Sequence, residues 1–126
     1  MDKVELLFSL IKKGNCGRAK ALLKSRKLIN VKDKNGNTLL HLAAQNGDLG
    51  VVKYLIFEGR IEVNTKNSYG WTPLHYAAHF GYIDVVKYLV EVMNANIDLN
   101  DERGLTPLHL AAKTGSFEVI EYLTER

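Results

Sequence analysis

Apolar positions in this chain fall into short helical stripes, separated by polar segments that end in glycine. The clearest stripe begins at Thr72, whose hydroxyl is suited to cap a helix by accepting from a first-turn N–H. Pro73 follows at the first helical position, where its missing N–H costs nothing. Leu74, Ala77 and Ala78 then share one face at i, i+3, i+4 spacing. Gly81 is placed to close the helix in a left-handed conformation. A second stripe, Ile83, Val86, Leu89 and Val90, predicts a longer helix over Ile83–Met93. The paired alanines leave room for the two helices to approach closely.

The text of this unit recurs. Gly70–Gly81 reads G-W-T-P-L-H-Y-A-A-H-F-G, and 34 residues earlier Gly36–Gly47 reads G-N-T-L-L-H-L-A-A-Q-N-G. The same distance later, Gly104–Gly115 reads G-L-T-P-L-H-L-A-A-K-T-G. A fixed period of this size marks stacked supersecondary units, none of which buries its apolar face alone. The segments Ile29–Gly36, Val63–Gly70 and Ile97–Gly104 between helix pairs carry Asn, Asp and Gly at turn-forming offsets. At the N-terminus, Asp2 can cap a helix over Lys3–Lys12 with Val4, Leu7, Phe8 and Ile11 inward. Gly14 and Gly17 bracket a turn, and a helix over Arg18–Ser25 follows with Ala19, Leu22 and Leu23 inward. At the other end Phe117–Leu123 repeats the second-helix pattern through Val119, Ile120 and Leu123, with Thr124 where Ile56 and Val90 stand earlier.

With T-P-L-H-Y-A at Thr72–Ala77, T-P-L-H-L-A at Thr106–Ala111 and Leu39 in place of Pro in the first copy, the chain resembles an ankyrin repeat protein. The resemblance implies an all-α solenoid of four stacked helix–turn–helix pairs with β-turn fingers. Its expected divisions are a degenerate capping repeat over residues 1–32, then repeats over 33–66, 67–100 and 101–126. The 34-residue period exceeds the family's usual 33 by one. The extra residue is expected after the second helix, at Arg60–Glu62 and again around Met93-Asn94, where a surface loop tolerates it.

Composition narrows the picture little. At 126 residues, 46% hydrophobic and 25% charged, the chain reads as one ordinary globular domain. Its one cysteine, Cys16, has no internal partner, so a reducing compartment, cytoplasmic or nuclear, is expected. Val4–Ile11 is short, contains Glu5 and lacks a basic lead, so no secretory signal is expected there, and no stretch approaches membrane-spanning length. Charge is uneven along the chain: residues 1–32 hold nine Lys/Arg against two acids, residues 33–126 eight against twelve. The cluster Lys12, Lys13, Arg18, Lys20, Lys24, Arg26 and Lys27 raises nucleic-acid contact as one alternative; the other expectation, from the lack of a dedicated polar cap after Thr124, is a piece of a longer ankyrin array or a last face used for contact. The basic cluster lacks interleaved aromatics and sits on an acidic remainder, which favours a solvated face. Lys24-Ser25-Arg26-Lys27 is too short to read as a nuclear address.

His41, His75 and His109 recur at one repeat position and invite a metal reading. Helices of neighbouring repeats pack about 8–10 Å apart, whereas ligands of one zinc each sit about 2 Å from it. Three in-register histidines therefore do not converge, and no metal is expected. The resemblance implies instead a structural histidine bonded to the motif threonine and the neighbouring finger. No phosphate loop, dinucleotide fingerprint or nucleophile–base pairing occurs, so neither an enzyme nor a cofactor is expected.

The resemblance places partner binding, with another protein as partner, on a concave face of fingers and first-helix ends. Carried onto this chain, the first repeat offers Lys32, Lys34, Asn35, Asn37, Gln45 and Asn46. The second offers Lys66, Ser68, Tyr69, Trp71, His79 and Phe80. The third offers Asn100, Glu102, Arg103, Leu105, Lys113 and Thr114. Because such positions are expected to be free of core duty, their residue types report on use. Trp71, the sole tryptophan, stands with Tyr69 and Phe80 in the middle repeat between polar flanks. An aromatic centre with a polar rim is the composition of an interface hot spot. Packing of Trp71 on the adjacent finger is the competing reading.

Overall fold

The computed structural model describes residues 3–24 and 29–126, apart from the side chain of Cys16. The expected cap at Asp2 and the run Ser25-Arg26-Lys27 lie outside these residues. Among the described residues the chain forms eight α-helices in four pairs: α1 (Lys3–Lys12) with α2 (Cys16–Leu23), α3 (Leu39–Asn46) with α4 (Leu49–Phe57), α5 (Pro73–His79) with α6 (Ile83–Lys87), and α7 (Pro107–Thr114) with α8 (Phe117–Thr124). First helices stack α1 on α3 on α5 on α7, and second helices α4 on α6 on α8. No helix of the described residues is long and apolar enough to cross a membrane.

The stripes behave as their spacing requires. Leu39, Ala43, Ala44, Leu74, Ala77, Ala78 and Ala111 are all buried, and so are Val52, Leu55, Val86, Leu89 and Val119 on the facing helices. Thr38, Thr72 and Thr106 each cap their helix by accepting from the third-residue N–H, and Gly47, Gly81 and Gly115 turn left-handed behind it. Along the outer helices a lysine of one pair lies over a tyrosine ring of the next. Lys20 is 5.3 Å from the Tyr54 centroid, Lys53 5.5 Å from Tyr88 and Lys87 5.8 Å from Tyr122, cation–π spacing in each case.

Three local expectations need correction. The second helix begins at Cys16 rather than Arg18, because the Asn15 side chain accepts from the Arg18 N–H and caps it two residues earlier. Gly17 therefore lies in the first turn of α2, and Gly14 alone makes the left-handed turn. α6 does not run as a regular helix to Met93. After Lys87 it widens into a π-helical turn over Tyr88–Val92, with the Met93 N–H donating to the Tyr88 carbonyl at 3.2 Å. The extra residue of the period is absorbed at Arg60 and Asn94, both at φ 53°. Behind them the Ile61 N–H reaches the Leu55 carbonyl at 3.4 Å and the Ala95 N–H the Leu89 carbonyl at 2.8 Å, the long closing bond of a left-handed helix end.

Each finger is folded by one Asx side chain. The Oδ1 atoms of Asp33, Asn67 and Asp101 each accept from the backbone N–H groups two and four residues on, at 2.8–2.9 Å. Successive fingers are then joined through backbone: the Ser68 N–H donates to the Asn35 carbonyl at 2.8 Å and the Glu102 N–H to the Tyr69 carbonyl at 3.1 Å. Gly70 is needed twice over, since its φ is 79° and a Cβ there would sit 2.8 Å from the Glu102 nitrogen.

The recurrent histidines join the pairs. His41 Nδ1 accepts from the Thr38 N–H at 3.0 Å, so Nε2 carries the proton and donates to the Trp71 carbonyl at 2.8 Å. His75 repeats this with Thr72 and, at 3.0 Å, the Leu105 carbonyl. His109 makes the same bonds to Thr106 but lies exposed. No group of His, Cys, Asp and Glu able to hold a metal occurs among the described residues.

Burial lowers His41 from its ordinary 6.5 to about 4, against weaker opposing bonds to the Trp71 and Thr65 backbone. Between those values the unfolded chain binds a proton that the folded chain refuses, so stability falls as pH falls. His75 shifts the same way. Urea unfolding at pH 7 and pH 5 is expected to show a loss of about 2 kcal/mol from His41 alone. In His41→Gln, less stable at pH 7, that pH dependence should shrink.

Candidate functional site

Fingers and first helices together line one long face of the stack. A hollow of about 380 Å³ opens on it, built from the second finger (Tyr69, Trp71), from α5 and its C-terminal cap (Tyr76, His79, Phe80), and from the third finger (Asp101, Glu102, Arg103). The aromatic rings support one another. Trp71 meets Tyr76 edge-to-face at 4.8 Å and His79 at 5.2 Å, while His79 meets Phe80 edge-to-face at 4.8 Å. Phe80 remains 47% and Tyr69 54% exposed. Apolar rings left open at the rim of a hollow are unusual on a surface without a contact role.

Trp71 serves two purposes. It is half-buried, stacks on His75 at 6.1 Å, and its indole N–H donates to Asp101 Oδ2 at 3.0 Å. One repeat earlier the same position is Asn37, whose Oδ1 accepts from the Asn67 amide at 2.8 Å and from the Tyr76 hydroxyl at 3.1 Å. The two junctions use opposite polarity: donor Asn67 meets acceptor Asn37, and acceptor Asp101 meets donor Trp71. Burial pushes the Asp101 carboxyl up, but the Leu105 and Arg103 N–H groups, the Trp71 indole and the Arg103 guanidinium outweigh it and hold the group below the usual carboxylate range. Arg103 pairs with Asp101 at 3.3 Å. Burial lowers His79, and the charges of Lys113 and Arg103 lower it further.

Of the expected contact residues, Tyr69, Trp71, His79, Phe80, Glu102 and Arg103 come together in this hollow. Lys34 and Asn35 line a second one of about 590 Å³, where the first finger faces Phe8, Lys12 and Lys13 of the first helix pair. Lys32, Gln45, Ser68, Asn100, Leu105 and Lys113 line neither. The assumption that these positions carry no internal duty fails at several of them. Asn37 is buried and fully engaged. The Asn46 amide donates to the Ile11 carbonyl and ties α3 to α1. Lys66 donates to the Asn100 carbonyl at 2.8 Å, and the Thr114 hydroxyl to the Leu110 carbonyl at 3.2 Å. Two lining residues were not anticipated, Tyr76 and Asp101. Tyr76 had a signal: it is the variable residue of T-P-L-H-x-A, which is Leu42 and Leu110 in the other copies.

The family model described as ankyrin repeats (3 copies) matches residues 6–101 and 61–126. No curated protein matches the chain.

Asp101→Asn tests the junction at Trp71. Its Oδ1 must keep the finger N–H groups, so the new amide nitrogen faces the indole N–H, donor against donor. Urea unfolding should show a loss of about 1–3 kcal/mol. Adding Trp71→Asn recreates the Asn37–Asn67 pairing and is expected to recover part of that loss.

Proposed function

The chain belongs to the ankyrin repeat family, and from that premise we propose that it binds another protein through the finger and first-helix face, without catalysis. The family consists generally of protein–protein interaction modules. The observation that carries the placement is the aromatic hollow, open to solvent through Tyr69 and Phe80 and backed by Trp71. Phe80 and Tyr69 anchor the partner, with Trp71 as the floor, and Glu102, Arg103 and Lys66 set its orientation at the rim. Lys34, Asn35, Gln45, Ser68, Lys113 and Thr114 extend the contact to either side.

The mechanism is rigid presentation. Finger-to-finger bonds and buried histidine bridges hold the groove before any partner arrives, so little ordering entropy is lost on binding. The lone Cys16 supports an intracellular, reducing location, the cytoplasm in the first instance.

Affinity capture with wild type beside Phe80→Ala and Trp71→Ala should retain the partner on wild type and lose it on both variants. Titration of that partner should then weaken by more than about 1 kcal/mol for each, the usual hot-spot threshold, with the helical signal of Phe80→Ala unchanged. Equal affinity of wild type and Phe80→Ala removes the hollow as the binding site.

A further inference from the structure

One surface contact recurs at every junction of the outer helices, and the two ends of the stack depart from it in opposite ways. Inside the stack Lys20 lies over Tyr54, Lys53 over Tyr88 and Lys87 over Tyr122. The next position in the lysine series is Glu121, and the position before Tyr54 in the tyrosine series is Ala21. An acid therefore stands at the last end where each junction has a cation, and a methyl group at the first end where each has a ring. Charge follows the same division. α2 carries Arg18 and Lys20 with Lys24 at its cap and no acid, whereas α8 carries Glu118 and Glu121 and no base; all five are exposed. The second helices, balanced as a set, are thus graded from positive to negative along the stack. Other cations near the last end are engaged elsewhere: Arg126 lies 4.1 Å from the Tyr122 centroid, and Lys113 bears on His79.

Both end faces are also apolar. At the last pair Leu108 and Ile120 are partly open and Ala112 is exposed, where the equivalent Leu74, Val86 and Ala78 are buried between repeats. Phe117 beside them is 78% exposed. At the first pair Leu6, Leu10, Ala21 and Leu22 line a hollow of about 240 Å³ with Arg18 at its edge.

We infer that the open face of the α7–α8 pair stacks on the α1–α2 pair of a second copy of this chain, in the register of the internal junctions. That register continues both columns, α7 onto α1 and α8 onto α2 of the second copy. It brings Glu121 to Ala21 of the second copy, whose Arg18 and Lys24 lie three residues to either side, one helical turn away. Phe117 and Ile120 meet the hollow that the small Ala21 leaves open. A further repeat of the internal kind would instead bring a tyrosine ring onto Glu121, and the negative face of an aromatic ring repels a carboxylate. The two faces differ, so the contact is heterologous: each copy added leaves the same two ends free, and the assembly grows as an open column. Neither face includes a residue of the aromatic hollow, so the groove and the ends are separate surfaces.

The test is sedimentation velocity of the 126-residue chain under reducing conditions, over a hundredfold range of concentration on the order of 5–500 μM. In about 50 mM salt the weight-average mass is expected to rise past that of a dimer without a plateau, and to fall back toward the monomer in about 300 mM salt. Glu121→Arg alone and Arg18→Glu alone should each weaken association at least about fivefold with the circular dichroism unchanged, because each sets like charges against each other. An equimolar mixture of the two variants, or both substitutions in one chain, restores opposite charges at every contact and should restore association. Phe117→Ser should weaken it without such rescue. A monomer at every concentration overturns the inference, and so does a mass that stops at a dimer or an association that neither charge reversal weakens. A last variant continues the chain past Arg126 with a second copy of residues 93–126. If it gains stability in urea while the 126-residue chain stays monomeric, the end face takes a further repeat and the inference falls.

Discussion

One imidazole bonded at both ends holds the architecture together. His41 accepts from Thr38 inside its own helix pair and donates to the Trp71 carbonyl in the next finger, and His75 does the same between Thr72 and Leu105. Both rings are buried, where a hydrogen bond is strong and an unmade one is costly. The bond is therefore a registration device as much as an energetic one: a finger that slips leaves a buried N–H without an acceptor. It works only for the neutral ring, because a proton on Nδ1 would face the Thr38 N–H. Stacking in this chain is thus tied to the protonation state of two side chains that never touch solvent.

The fingers inherit their positions from that registration. With the Trp71 and Leu105 carbonyls each fixed by a histidine behind them, the Asx side chain at the finger base closes the turn, and successive fingers dock by backbone. Asn37 and Trp71 then occupy equivalent places but solve the junction with opposite polarity. The second solution has a consequence for recognition. An indole is much larger than the donor the bond requires, so the surplus ring forms the floor of a hollow that Tyr76, His79 and Phe80 wall in. Structural and binding roles of Trp71 are two ends of one side chain rather than alternatives.

The linear distribution of charge does not carry over to the faces of the stack. A linear count places a basic head on an acidic body, yet Lys34, Lys66, Arg103 and Lys113 belong to the acidic-rich portion and still lie on fingers and first helices. The second helices carry exposed Asp84, Glu91, Glu118 and Glu121 beside exposed Arg18, Lys20, Lys53 and Lys87, so that face is close to balanced. Field strength at a surface follows from which charges share a face, and sequence distance is a poor guide to that in a stack whose every repeat contributes to both faces.

The sequence by itself determined the period, the cap at each motif threonine, the buried alanine face and the family, because all of these are local: they depend on residues within one or two helical turns. It also marked Trp71, Tyr69 and Phe80 as residues in excess of what a helix pair needs. Tertiary structure alone decided what depends on a neighbouring repeat. It withdrew Asn37 into the interior, added Tyr76 and Asp101 to the hollow, and bonded the Trp71 indole across a junction. Those outcomes arise from atoms some thirty residues apart meeting at hydrogen-bonding distance, and no spacing rule within one repeat carries that information.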